Sequence, residues 1–362
     1  MASRSSPAAV PDGANFVIGV LGMFSMDVAE LTERLRAFIR EQGNFTDVKI
    51  ENLHKMPGGA SREIWSFDCT MQSAHGIETR GMVLRRDPGA QRIETNRRHE
   101  FLVLRAAFEE GVPVPEVFWL SDDPAVLGAA FFIMQRVEGE TIARRLLRDE
   151  QYANARKVMV AQLAQILARI HRIDPVKHKL DFLAAPGPSA ALTEVQRYEQ
   201  NFRTLALQPY PAFELTFRWL YQRVPKSPPT VLVHGDYRIG NVVFGPEGVR
   251  SILDWELPHL GDPMEDLGWM CTRAWRFGAD ENPVGGLGRR EDFWAAYEKA
   301  SGISVDPEAA RWWEVFGNLK WGIITISQAR THLDGSVSSV ELASIGRRTV
   351  ENELELLNLI ER

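Results

Sequence analysis

Apolar residues recur at helical spacing early in the chain. Val28, Leu31, Leu35 and Ile39 follow a capping Ser25 or Asp27, and Gly43 stands where such a helix would end. Over 48–86 the period drops toward two. Short apolar runs at Val48, Ile50 and Leu53, at Ile64, Trp65 and Phe67, and at Met82, Val83 and Leu84 predict antiparallel strands. Between the first two lies a turn over 56–61 whose Gly58 and Gly59 permit close approach of a ligand to the backbone. A helix is predicted over 92–110, ended by Gly111 and the Val112-Pro113-Val114-Pro115 segment, and strands follow over 117–120 and 129–135. Beyond Glu140 the pattern is mostly helical, with amphipathic runs over 158–173, 192–205 and 211–223. The exception is 230–254, where Val231-Leu232-Val233, Val242-Val243-Phe244 and Ile252-Leu253 predict strands joined by polar loops. Helices resume near Met264 and are rich in tryptophan, which the pattern assigns to the core.

This layout predicts an α+β fold of two lobes with a ligand cleft between them. A flexible extension is expected over 1–25, a small lobe with an antiparallel sheet over 26–135, and a larger helical lobe over 136–362. The composition of the 362 residues, 44% hydrophobic and 25% charged, is that of an ordinary folded protein. A formal net charge of -6 leaves no general excess of cations to neutralise phosphates, so a nucleic-acid partner is not expected. The apolar stretch over 16–24 is too short to span a bilayer and lacks the flanks of a signal peptide, so no membrane association is expected. Cys69 and Cys271 lie far apart and form no Cys-x-x-Cys pair, which predicts neither a disulfide framework nor a zinc site and suits a reducing cytoplasm.

The chemistry concentrates in His234-Gly235-Asp236-Tyr237-Arg238-Ile239-Gly240-Asn241, followed two strands later by Asp254-Trp255-Glu256. Phosphoryl transfer from a nucleotide needs magnesium held by hard oxygen ligands and a carboxylate that orients the attacking hydroxyl. Asp236, Asn241 and Asp254 supply that set. An aspartate, an asparagine five positions on, and a second aspartate on the next hairpin match the spacing of protein-kinase catalytic and metal loops. In that reading Asp236 accepts the hydroxyl proton while Asn241 and Asp254 hold the metal. His234 is expected to be a structural hydrogen-bonding group of the loop.

The 234–241 segment with Asp254 resembles the aminoglycoside phosphotransferase family, a protein-kinase-like fold also used by choline and macrolide kinases, and the resemblance runs from about Asp27 onward. It implies ATP and Mg2+ as cofactors and a small hydroxylated molecule as the acceptor of the γ-phosphate. It also implies that Gly58, Gly59 and Ser61 cover the phosphates and that Arg85 stands where the family's strand lysine reaches them, with Glu100 as its helix partner. Backbone groups of Gln135 and Val137 would meet the adenine edge, and Asp266 would brace the catalytic loop. Arginine in place of lysine at position 85 is a departure, because a guanidinium is bulkier and grips phosphate differently. It gives weight to an alternative, a nucleotide-binding pseudokinase that regulates an acyl-CoA-metabolising partner.

The 82–86 run and Leu253-Asp254-Trp255-Glu256 are most similar to a subgroup found alone in bacteria and fused to acyl-CoA dehydrogenases in animals. That similarity implies a hydroxyacyl-CoA acceptor and a functional link to an acyl-CoA dehydrogenase. An aminoglycoside or macrolide kinase is a further alternative. An aminoglycoside acceptor would need a strongly acidic pocket, whereas Arg273, Arg276, Arg311, Lys320 and Arg330 mix with acids along the C-terminal helices. Arg273 and Arg276 are expected on a solvated helix face.

Overall fold

The computed structural model describes residues 26–56, 63–86, 97–226 and 228–361. The expected extension over 1–25 and the Gly58, Gly59, Ser61 turn lie outside the described residues. The first helix, α1 (Val28–Gln42), is capped by Asp27, whose carboxylate accepts the Glu30 N–H at 2.7 Å. Next come β1 (Asp47–Lys55), β2 (Glu63–Ser73), β3 (Gly76–Arg86), α2 (Arg97–Glu109), β4 (Val117–Ser121), the short α3 (Pro124–Leu127) and β5 (Phe131–Gln135). The five strands form one sheet in the order β1-β2-β3-β5-β4, antiparallel at every described pairing.

Alternation along β3 and β5 divides two cores. Met82, Leu84, Phe131 and Ile133 pack with Leu31, Leu35 and Phe67 beneath α1. Val83, Phe132 and Met134 turn to the other face, where Phe101 and Leu104 of α2 extend a core continuous with the rest of the chain. Arg85 shares the parity of Val83 and pairs in register with Ile64 and Phe132, so the pleat itself sends this cation toward α2 and the helical half.

The remainder contains α4 (Ala143–Arg148), α5 (Ala153–Ile170), α6 (Ala190–Leu205), α7 (Pro211–Gln222), β6 (Val231–Val233), β7 (Val242–Gly245), β8 (Gly248–Ile252), β9 (His259–Gly261), α8 (Met264–Cys271), α9 (Arg290–Ser301), α10 (Pro307–Leu333), α11 (Val340–Gly346) and α12 (Thr349–Ile360). Here the strand expectation needs a correction. The strands expected over 231–233 and 242–244 form, but they do not pair with each other. β7 pairs with β8, whereas β6 pairs with β9, a strand of only three residues, His-Leu-Gly, too short and mixed to show a period of two. The two ribbons bracket the polar segments 234–241 and 253–258.

Helix α8 lies against the middle of α10, and Gly268 makes the approach possible. A Cβ there would stand 2.5 Å from the backbone carbon of Trp313. Gly268→Ala is therefore expected to push the helices apart and destabilise the protein by about 1–3 kcal/mol, read as a lowered denaturation midpoint. A midpoint equal to that of the parent protein would show that the crossing is loose.

Candidate active site

The loop from β6 to β7 is fixed first by its backbone. Gly235 takes φ +79°, and a Cβ there would strike the Leu257 carbonyl oxygen, so a glycine is required at this turn. Asp266, fully buried at the start of α8, accepts the His234 N–H at 2.8 Å and the Gly235 N–H at 3.0 Å, and meets His171 Nε2 at 3.2 Å. Burial would raise the Asp266 pKa, but His171 and these contacts bring it below the usual carboxylate range. Burial lowers the His234 pKa, and its Nδ1 accepts the Asp236 N–H at 3.2 Å. Lys320, buried on α10, donates to the Gly235 carbonyl oxygen at 2.9 Å.

The Asp236 carboxylate is held from three sides. Asn241 Nδ2 donates to Oδ2 at 2.6 Å, Trp269 Nε1 to Oδ1 at 2.7 Å, and Arg238 Nε lies at 3.1 and 3.2 Å from the two oxygens. Because a carboxylate accepts and cannot donate, Asn241 must present its amide nitrogen to Asp236, and among the described residues its side-chain oxygen accepts no hydrogen bond. Asp254 follows β8 with φ +66°, a left-handed conformation that aspartate tolerates better than most residues. Its side chain is 38% exposed, so this carboxylate remains open to a ligand.

Arg85 enters from the sheet. Its NH1 lies 2.5 Å from Glu100 Oε1 and its NH2 2.5 Å from Glu256 Oε1, with Asp254 Oδ1 at 4.0 Å. Arg97 pairs with Glu100 as well. Burial pushes the Glu100 carboxyl up to about 7 against the pull of Arg85 and Arg97.

These groups line one cavity of about 620 Å³, reached by Arg85, Gln135, Val137, Asn241 and Asp254 together. Gln135 uses its N–H on the Glu116 carbonyl oxygen at 2.8 Å. Among the described residues the Val137 N–H donates to no protein acceptor. A second cavity, of about 450 Å³, lies behind Glu100, Trp255 and Glu256, which line both. Of the residues singled out in the sequence, the structure brings Arg85, Glu100, Gln135, Val137, Asn241 and Asp254 to the first cavity. Asp236 joins them through Asn241.

Residues 73–303 match the model of the phosphotransferase enzyme family, more than half of the chain. The chain belongs to that family. The phosphotransferase is similar to mouse (Mus musculus) acyl-CoA dehydrogenase family member 10, with 32% identity over 199 residues, 54% of this chain and 18% of that protein. The match thus spans about a fifth of that relative's length. Among solved structures, a Ralstonia eutropha protein assigned to the aminoglycoside phosphotransferases shares the fold with a TM-score of 0.73 at 23% identity, over 91% of this chain and 98% of that one. A thermostable mutant of aminoglycoside phosphotransferase APH(4)-Ia, in a ternary complex with AMP-PNP and hygromycin B, shares it with a TM-score of 0.58 at 14% identity, over 90% and 98% of the two chains. The bilobal kinase-like fold expected from the sequence is therefore the fold of the phosphotransferase.

Several roles at the site were not assigned from the sequence. Glu256 and Arg97 complete the ion-pair network around Arg85, and Trp269 and Arg238 hold Asp236. Trp269 was placed with the core tryptophans, and it is 97% buried, yet its indole N–H is spent on the Asp236 carboxylate. Its spacing of three from Asp266 was the available signal, since residues so spaced share a helix face. Arg276 corrects the expectation of a solvated face. It is 6% exposed, follows a 3-10 turn, and binds the Cys271 carbonyl oxygen and Glu314. Arg273 does remain partly exposed, paired with Asp280.

Proposed function

We propose that this phosphotransferase moves the γ-phosphoryl group of ATP, with Mg2+, to the hydroxyl of a small molecule, and that a hydroxyacyl-CoA is the first acceptor to test. The observation that carries this reading is the convergence of an aspartate held by three side chains, an asparagine with a free side-chain oxygen and an exposed aspartate at the mouth of one cavity. The oxygens of Asn241 and Asp254 suit a hard divalent ion, which would supply neutralisation of phosphate charge. Asp236 is positioned to orient the acceptor hydroxyl and take its proton. As the hydroxyl oxygen bonds to the γ-phosphorus, the bridging P–O bond breaks and its electron pair leaves on ADP. The unused Val137 N–H and the Gln135 carbonyl suit the adenine edge, and Arg85 with Glu100 lies toward the α and β phosphates. Arg85 already engages Glu100 and Glu256, so nucleotide phosphates would have to share it with two carboxylates.

The acyl-CoA acceptor draws on the names of relatives such as acyl-CoA dehydrogenase family member 10, and so does a functional link to an acyl-CoA dehydrogenase. Among the described residues no helix is long and apolar enough to cross a membrane. Both cysteines are free and buried, which fits the cytoplasmic setting we propose.

Incubation with ATP, magnesium and a panel of hydroxyacyl-CoAs, aminoglycosides, macrolides and amino alcohols tests the reading. ADP release with a phosphate mass gain on one acceptor is the expected result. Nucleotide binding with no transfer to any acceptor would favour the pseudokinase instead.

A second expectation concerns Arg85 and Glu100. Each is the other's buried partner, so their alanine variants are expected to weaken nucleotide binding non-additively, with a coupling of about 0.5–3 kcal/mol in a double-mutant cycle. Additive losses would mean that the two act independently.

A further inference from the structure

The cations around the cleft are unequally free. Arg85 meets Glu100 and Glu256 directly, Arg97 pairs with Glu100, and Arg136 pairs with Asp68 and Glu138. Lys320 is buried on the Gly235 carbonyl oxygen, with Glu265 at 3.4 Å. Arg238 differs. Its Nε contacts Asp236, its one ion-pair partner among the described residues, while NH1 and NH2 have no hydrogen-bond partner there, and the side chain is 25% exposed.

The guanidinium is nevertheless placed. Its central carbon lies 4.7 Å from the centroid of the Trp275 ring, and that ring packs on Trp269 at 5.3 Å, the same tryptophan that donates to Asp236. NH1 lies over Gly240, where a Cβ would strike it, and Gly240 lines the 620 Å³ cavity. A planar fork of unpaired donors is thus backed by an aromatic platform, tethered to Asp236 and presented at the rim of the cleft. Such a fork matches phosphoryl oxygens in shape and charge.

We propose that Arg238 is a catalytic residue that grips the γ-phosphoryl oxygens of ATP and keeps that group beside Asp236 as it passes to the acceptor. Arg85 cannot fill this role alone, because its charge is already met by two carboxylates. Arg238 stabilises negative charge on the equatorial oxygens, where phosphoryl transfer concentrates it. The inference rests on the reading of the cleft as a nucleotide site.

The test measures ADP and AMP-PNP affinities with magnesium by calorimetry, on the full chain, for Arg238→Met and Arg238→Lys. Each is made in an Asp236→Asn background as well as alone, so that loss of the Asp236 tether cannot account for the result. Arg238→Met is expected to leave ADP affinity within about twofold and to weaken AMP-PNP roughly tenfold or more in both backgrounds, with Arg238→Lys in between. ADP binding also reports that the variant is folded. An unchanged ratio of AMP-PNP to ADP affinity would overturn the role of Arg238 while leaving the nucleotide site intact. Failure of the unmodified protein to bind ADP would overturn the nucleotide site and, with it, this inference.

Discussion

Asp236→Asn is expected to retain ATP binding while turnover falls by roughly 100-fold or more, the usual span for a general acid-base group. The substitution keeps size and shape but replaces an acceptor oxygen by a donor. If the new amide oxygen accepts from Trp269, its nitrogen faces Asn241 Nδ2, which donates to Oδ2 in the native loop. Two donors then oppose each other in a part-buried place, so the variant should also lose about 1–3 kcal/mol of stability. Separate measurements distinguish these effects: calorimetry for ATP, denaturation for stability, and steady-state rates for turnover. A rise confined to the acceptor KM, with kcat unchanged, would remove Asp236 from the proton-accepting role.

Asp254→Ala is expected to abolish transfer and to weaken ATP binding at least tenfold, but only when magnesium is present. Without metal, the substitution removes a carboxylate that would face the phosphates, so ATP chelated away from magnesium should bind the variant no worse than the parent. A loss confined to the magnesium condition would be hard to obtain from a merely damaged fold. Alanine at φ +66° also carries a backbone penalty that aspartate or asparagine bears more easily. Asp254→Asn is therefore the informative companion, since it keeps the turn and one oxygen while losing the charge. Equal magnesium dependence in Asp254→Ala and the parent protein would assign the metal to other ligands.

Much of this was legible in the chain. Period-two runs marked the strands of the sheet, whereas the register that sets Arg85 beside Phe132 belongs to the pairing of β3 with β5 and was not read from the sequence. Capping by Asp27 and the glycine after α1 bounded that helix. The spacing of Asp236, Asn241 and Asp254 drew attention to the loop that Asp266 braces. What escaped was set by contacts between distant positions. Glu256 meets Arg85 from 171 residues away, and Trp269 meets Asp236 from 33. Neither pairing leaves a periodic trace. A tryptophan in an apolar run reads as core whether or not its N–H is committed, and β9 is too short to register against neighbouring loops. The burial of Arg276 was hidden similarly, because Glu314 lies 38 positions on.

Helix α8 presents Asp266 to the backbone of the 234–241 loop and Trp269 to the Asp236 carboxylate, one turn apart on a single face. Each helical residue advances the face by about 100° and 1.5 Å. One residue inserted between Gly261 and Asp266 would leave every side chain present yet carry both contacts about a quarter-turn out of phase. The short run Gly261-Asp262-Pro263-Met264-Glu265 therefore acts as a ruler whose length sets the 234–241 loop in register.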